Sequence, residues 1–310
     1  VLKFIKVDRN AALVILLAGG LGFLLANLVP GLAQGIGQVH HYAELALALF
    51  FFVIGLELKH ELTSGVFKKK SSLLVPALAA IFGAFIPAGL YYLVTMNNQV
   101  AVQGWAIPMA TDITFAVAVF SIFGSKLPNG SKQFLLAFAI IDDLLAILVI
   151  ALFLHSDVTT ALIVTGSVVL GLVVPGKHVL KIQDAVQPWV YLIVLPVYAF
   201  SSLCFVLNTP IIEVATGLVA VAVLLRVLGK SIGITLGAYL GSLVAPSAIK
   251  LKDVFRISVL GGIGFTVAFF VNDIVFKDNQ ALHTQAIVGS LLAGLISVGL
   301  GAIALKGRKN

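Results

Sequence analysis

Ten stretches of predominantly apolar residues follow one another along the chain, at roughly 10 to 29, 40 to 58, 71 to 94, 105 to 124, 132 to 154, 158 to 175, 188 to 207, 214 to 243, 255 to 276 and 284 to 305. A hydrocarbon core about 30 Å thick takes roughly 20 helical residues to cross, and the runs match that length. They predict an all-α integral membrane protein of about ten transmembrane helices. Composition agrees. Of the 310 residues 60% are hydrophobic and only 11% charged, well below the roughly 25% charged residues of a soluble domain.

The net charge of +7 raises the question of a nucleic-acid partner, but the basic residues fall between the apolar runs rather than on one face, so none is expected. The bilayer is the partner, and the charges read as topology signals. Lys3, Lys6 and Arg9 precede the first run; Lys59, Lys68, Lys69 and Lys70 fill the second loop; Lys126 and Lys132 lie in the fourth. Lys177 and Lys181 mark the sixth loop, Lys250, Lys252 and Arg256 the eighth, and Lys306, Arg308 and Lys309 follow the last run. The odd-numbered loops hold only Lys277, so seventeen basic residues stand against one. That asymmetry places both termini in the cytoplasm and argues against reading the basic N-terminus as a cleaved signal peptide. Lys68 to Lys70 fit this pattern, with anionic-lipid binding as the alternative. Cys204 is the only cysteine, which excludes an intrachain disulfide and a thiolate metal cluster. The six histidines, His40, His41, His60, His155, His178 and His283, sit near run ends and read as interfacial polar residues.

Sliding the sequence against itself by 150 residues aligns ITFAVAVFS (113 to 121) with IGFTVAFFV (263 to 271), matching five of nine positions. In the same register Leu74 meets Leu224, Gly83 meets Gly233 and Ala88 meets Ala238. Spans three to five thus correspond to spans eight to ten. An offset of five spans makes the two units cross the membrane in opposite directions, the inverted-repeat architecture of many secondary transporters. The predicted organisation is N-terminal helices in 1–70, a first repeat in 71–154, intervening helices in 155–210 and a second repeat in 211–310.

Both repeats carry a helix breaker at a matching place. Span four holds Pro108 and the polar pair Thr111-Asp112, and span nine holds Gly261, Gly262 and Gly264. Such residues favour unwinding, which leaves opposed half-helix dipoles at mid-depth, so two broken helices are expected to cross near mid-membrane. Asp112 would offset the positive half-helix N-termini and Lys230 the negative C-termini. Gly229, Gly233, Gly237 and Gly241 recur every fourth residue in span eight and predict close packing on a neighbouring helix. Arg226, in the same span, has no partner assignable from the sequence.

Asp142 and Asp143 lie in the middle of AIIDDLLAILVI. Each ionised side chain at a bilayer centre costs roughly 2.5 to 3.5 kcal/mol on insertion scales, so the pair needs a function. Sodium prefers oxygen ligands, and a desolvated carboxylate pair can trade a metal ion for protons near neutral pH. Adjacent helical residues point about 100° apart, so one Asp is expected to face an ion cavity and the other a partner. Lys230 is the available cation, and sodium would compete with that internal ion pair. A purely structural Asp-Lys bridge is the alternative.

Together these residues resemble the NhaA-type sodium/proton antiporter family. The motifs are GLELKHEL (55 to 62), GWAIPMATDITFA (104 to 116), AIIDDLLAI (139 to 147), QPWVYLIVLPVYAF (187 to 200), LGKSIGI (228 to 234) and GGIGFT (261 to 266). They run over most of the chain in the family's order. The resemblance implies electrogenic exchange of cytoplasmic sodium or lithium for external protons by alternating access, serving pH homeostasis and salt tolerance in the bacterial inner membrane. It makes Asp142 and Asp143 the carboxylates that bind the transported Na+ and H+, places Thr111 and Asp112 at the first break, and pairs Lys230 across the site. Glu57 and Glu61 fall at the cytoplasmic entrance, where pH is sensed. No cofactor is called for.

Three departures stand out. The family usually has twelve helices, and two are absent here before GLVVP (171 to 175). Residues 30 to 39 leave no room for the family's β-hairpin, which puts the usual homodimer contact in doubt. The acidic and histidine residues before Pro-Trp are replaced by Gln183, Asp184 and Gln187, so an altered pH activation profile is expected. Two rival readings remain. A passive cation channel would share the buried carboxylates but conduct without protons. A membrane-embedded aspartate-dependent enzyme would need a second carboxylate at helical spacing to hold magnesium-diphosphate, or a Gly-x-Gly-Asp loop, and neither is present.

Overall fold

The computed structural model describes residues 2–29, 31–65, 73–124, 127–153, 158–207, 209–246 and 249–306. Of the topology signal, Lys68, Lys69, Lys70, Lys126, Arg308 and Lys309 lie outside the described residues, as do His155 and the side chains of Lys3, Lys6 and Arg9. In chain order the helices are α1 (Leu2–Leu28), α2 (Leu32–Gly35), α3 (Gly37–Thr63), α4 (Leu74–Thr95), α5 (Ile113–Phe123), α6 (Asn129–Phe153), α7 (Val158–Val173) and α8 (Gly176–Trp189). They continue as α9 (Leu195–Ser202), α10 (Ile211–Ala215), α11 (Leu218–Leu224), α12 (Arg226–Val244), α13 (Leu251–Ser258), α14 (Thr266–Val275) and α15 (Gln280–Leu305). A 3-10 segment, Ala101–Met109, precedes α5, and another, Val259–Gly262, extends α13. No strand occurs among the described residues.

Among the described residues, seven helical stretches are long and apolar enough to cross a membrane. Two more spans are bent pairs: Ala101–Met109 with α5 at 43°, and Leu251–Gly262 with α14 at 48°. At the sixth predicted span stands Thr159–Val173, apolar but shorter. The protein is therefore an all-α, multi-pass membrane protein. The seventh span differs from expectation at both ends, because the helix runs from Gly176 to Ser202 through a π-helical turn at Val190–Val194 just after Pro188. Hydropathy starts that span where the polar residues end. The backbone is already helical through them, with Gln183 and Gln187 buried on one face.

The chain divides into two compact units, 1–65 with 156–211, and 66–155 with 212–310. In the first, α3 and α7 approach through glycine: a Cβ on Gly55 would lie 3.1 Å from Gly171 Cα. α1 meets α9 in the same way at Gly22, where a Cβ would stand 3.2 Å from Phe200 Cα. Asn27 ties the ends of these two helices together by donating to Phe205 O at 3.1 Å and accepting from Leu207 N at 3.1 Å. Between α1 and α3 the chain makes only the single turn α2, entered through Gly31 at φ 83°, a left-handed conformation glycine adopts without strain.

In the second unit the glycine stripe of α12 lies on α4. A Cβ on Gly229 would stand 2.7 Å from Pro87 Cα, one on Gly233 3.0 Å from Gly83 Cα, and one on Gly241 2.8 Å from Val75 Cα. Backbone-to-backbone contact of this kind is what small residues at four-residue spacing allow in a membrane helix. Tyr91 then fastens the first broken helix to α4 by donating to Ala101 O at 2.7 Å. Shifted by 150 residues, α4 falls largely on α12, the Ala101–Phe123 pair on the Leu251–Val275 pair, and α6 on α15.

Candidate ion-binding site

All the residues of this site belong to the second unit. The two breaks, Ala110 to Asp112 and Ile263 to Phe265, face each other and are bonded directly. Asp112 N donates to Ile263 O at 2.7 Å, and Thr111 Oγ1 donates to Gly261 O at 3.0 Å. Unwound backbone is tolerable here because each segment supplies hydrogen-bond partners to the other. Phe115 and Phe265, one at each break, pack with ring centroids 5.1 Å apart.

Asp112 is buried at the crossing. Its carboxylate caps α5 through Phe115 N at 3.4 Å and reaches across to the start of α14, accepting from Thr266 N at 3.2 Å and Thr266 Oγ1 at 2.8 Å. One buried carboxylate thus answers two half-helix N-termini, where the exposed amides and the dipole favour negative charge.

Lys230 lies against Gly261, near the end of the second half-helix, but its ammonium is turned to a carboxylate. Its ammonium donates to both oxygens of Asp142, at 2.7 and 2.8 Å, and lies 5.8 Å from the Phe138 ring centroid. Lys230 is fully buried and Asp142 is 1% exposed. The carbonyl at the end of the first half-helix, Ala110 O, takes its hydrogen bond from Arg226 instead. The physical reason is position: Arg226 is one turn earlier on α12 than Lys230, on the same face, and its longer side chain reaches the break.

Asp143 is buried beside this pair and Thr111 is 1% exposed. The three glycines serve close approach. A Cβ on Gly261 would stand 3.6 Å from Lys230 Cδ, one on Gly262 3.3 Å from Val227 Cα, and one on Gly264 would fall on the Arg226 guanidinium. Only Gly264 lies in the break itself, while Gly261 and Gly262 remain in the 3-10 segment. Glu57 and Glu61 belong to α3 of the first unit and are half-buried. Two participants escaped the sequence reading. Thr266 closes the GGIGFT motif and follows the glycines directly. Arg226 carried a usable signal, its four-residue spacing from Lys230.

Crossed broken helices around a buried carboxylate and ammonium define a class: an ion-coupled secondary transporter. The sequence profile of the family described as Na+/H+ antiporter 1 matches residues 24–179 and 166–305. The chain belongs to that family. Among curated relatives, the Na(+)/H(+) antiporter NhaA of Vibrio cholerae serotype O1 is 30% identical over 362 residues, covering 96% of this chain and 95% of the relative. Its namesake in Aliivibrio fischeri is 30% identical over 371 residues (98% and 97%), and that of Pectobacterium atrosepticum 31% over 378 (98% and 96%). Alignments longer than the 310-residue chain mean that these relatives carry internal segments with no counterpart here.

Proposed function

We propose that the protein is a sodium/proton antiporter of the bacterial inner membrane, exporting cytoplasmic Na+ or Li+ against entering H+, electrogenically and by alternating access. The observation that carries this reading is the buried Asp142–Lys230 pair, 2.7 Å long and set beside the crossing of two broken helices. Two charges taken out of water repay their desolvation only when geometry and further bonds are favourable, so such a pair is poised for replacement by a competing cation. Sodium entering between Asp142 and Asp143, with the Thr111 hydroxyl as a further oxygen, displaces the ammonium from Asp142. When sodium leaves, protons and Lys230 reclaim the carboxylates. Since the same groups serve both ions, neither crosses without the other's return. The family is one of transporters, which disposes of the enzyme reading.

Alternating access follows from two inverted repeats, spans three to five and eight to ten. Two contacts support them. Gly233 meets Gly83, and Thr111 bonds to Gly261, so at both places a residue touches the one 150 positions away, its own counterpart. Self-contacts of this kind arise where a two-fold axis passes through an interface. Glu57 and Glu61 are assigned to the cytoplasmic entrance, where their carboxylates attract sodium.

Purified protein in acid-loaded proteoliposomes with a pH-sensitive dye tests the proposal. Added sodium should move protons in the wild type, and Asp142→Asn and Asp143→Asn should each remove most of that signal. Sodium uptake without proton movement would support a channel, and wild-type exchange in both variants would overturn the site.

A further inference from the structure

Arg226 is the largest fully buried side chain among the described residues, and the exchange just described gives it no task. Its guanidinium donates to Ala110 O, the carbonyl that ends the first half-helix. Only a glycine fits at position 264, because a Cβ there would fall on that guanidinium and stand 2.6 Å from Ala110 O. One side chain therefore wedges the two breaks against each other. Nε and Nη1 have no hydrogen-bond partner among the described residues. A guanidinium left half-satisfied in a dry interior is costly unless its charge is used. The charges that act on it are Asp142 and Asp112, and Lys230 stands one turn away on the same helix.

We propose that Arg226 is a positioning residue with a permanent charge: it locks the two helix breaks together through Ala110 and Gly264, and it weakens cation binding at Asp142 and Asp143 so that sodium is released. This inference rests on the exchange reading above. Arginine keeps its proton in proteins, so its charge persists when sodium pulls Asp142 away from Lys230. The crossing then never loses its positive charge at the Ala110 carbonyl, whichever ion occupies the acids. The same charge opposes every cation that arrives. A site holding Asp112, Asp142 and Asp143 against Lys230 alone would bind sodium more tightly and give it up more slowly.

Calorimetric titration of sodium chloride into the purified protein at alkaline pH, with proteoliposome exchange measured in parallel, separates charge from shape. Arg226→Met should tighten sodium binding by about tenfold and slow turnover. Arg226→Lys keeps the charge but loses the fork, so it should bind sodium close to wild type while turnover still falls. Gly264→Ala should displace the guanidinium and slow turnover, and Arg226→Met with Gly264→Ala should be less impaired than the two single effects combined, because the added Cβ then clashes with Ala110 O but no longer with the guanidinium. That double variant also serves if Arg226→Met alone fails to fold. Equal affinity changes in Arg226→Met and Arg226→Lys, or additive effects in the double variant, overturn the proposal. A wild type that exchanges while Arg226→Met matches it overturns this proposal alone. A wild type that neither binds sodium nor moves protons takes the exchange reading down with it.

Discussion

Lys230 and Asp142 neutralise each other in a place neither occupies cheaply, and the cost shows when one is removed. Lys230→Met strands a carboxylate in the core, and loss of one partner of a buried pair costs roughly 3 to 5 kcal/mol. The expected outcome is a clear fall in apparent Tm of the detergent-purified protein, largely restored by adding Asp142→Asn. A single variant with wild-type Tm would mean that the pair contributes nothing to stability. At this scale the sequence was informative about charge and silent about reach. Asp142, Asp143, Asp112 and Lys230 stand out because ionisable residues are rare in apolar runs. Which cation meets which acceptor depends on where α12 crosses the breaks, and no spacing encodes that. So the ammonium goes to Asp142 and the guanidinium to Ala110 O.

Helix α12 shows how an element earns its position. Four glycines along one face bring its backbone against α4 from Val75 to Pro87, and that contact holds Arg226 and Lys230 at the breaks. Gly233→Val would drive a branched side chain into Phe82 and Gly83. Overpacking of this kind typically costs 1 to 3 kcal/mol, and here it should also lower exchange. Gly299→Ala, on α15 with nothing within 4 Å of the added carbon, is the control, and its stability should stay within about 0.5 kcal/mol of wild type. Thermal unfolding followed by size-exclusion chromatography compares them; equal stability of the two variants would remove the packing argument. The glycine period was legible because it is regular. Harder to read was the helix through Gly176–Trp189, whose polar residues hide its start from any hydropathy count.

For the molecule as a whole, orientation rests on the seventeen-to-one basic asymmetry, much of it in residues the structure leaves undescribed. Its check uses chemistry the chain almost lacks. Cys204 is buried and the only cysteine, so in a Cys204→Ser background a single exposed thiol reports one loop. Asp278→Cys, after α14, should react with a membrane-impermeant maleimide on intact cells. Lys252→Cys, at the start of α13, should react only after lysis. The reverse pattern would turn the protein over. The order of the apolar runs and their 150-residue offset were readable from the sequence, since length and repetition survive without coordinates. The contacts at the crossing were not, because they arise only once both segments unwind side by side. On the inverted-repeat reading proposed above, Thr111 touching Gly261 is a point that meets its own image, and such a point would not travel when the two halves trade shapes. The crossing would then be a fulcrum, with the cell's two sides taking turns to reach a cargo that stays still.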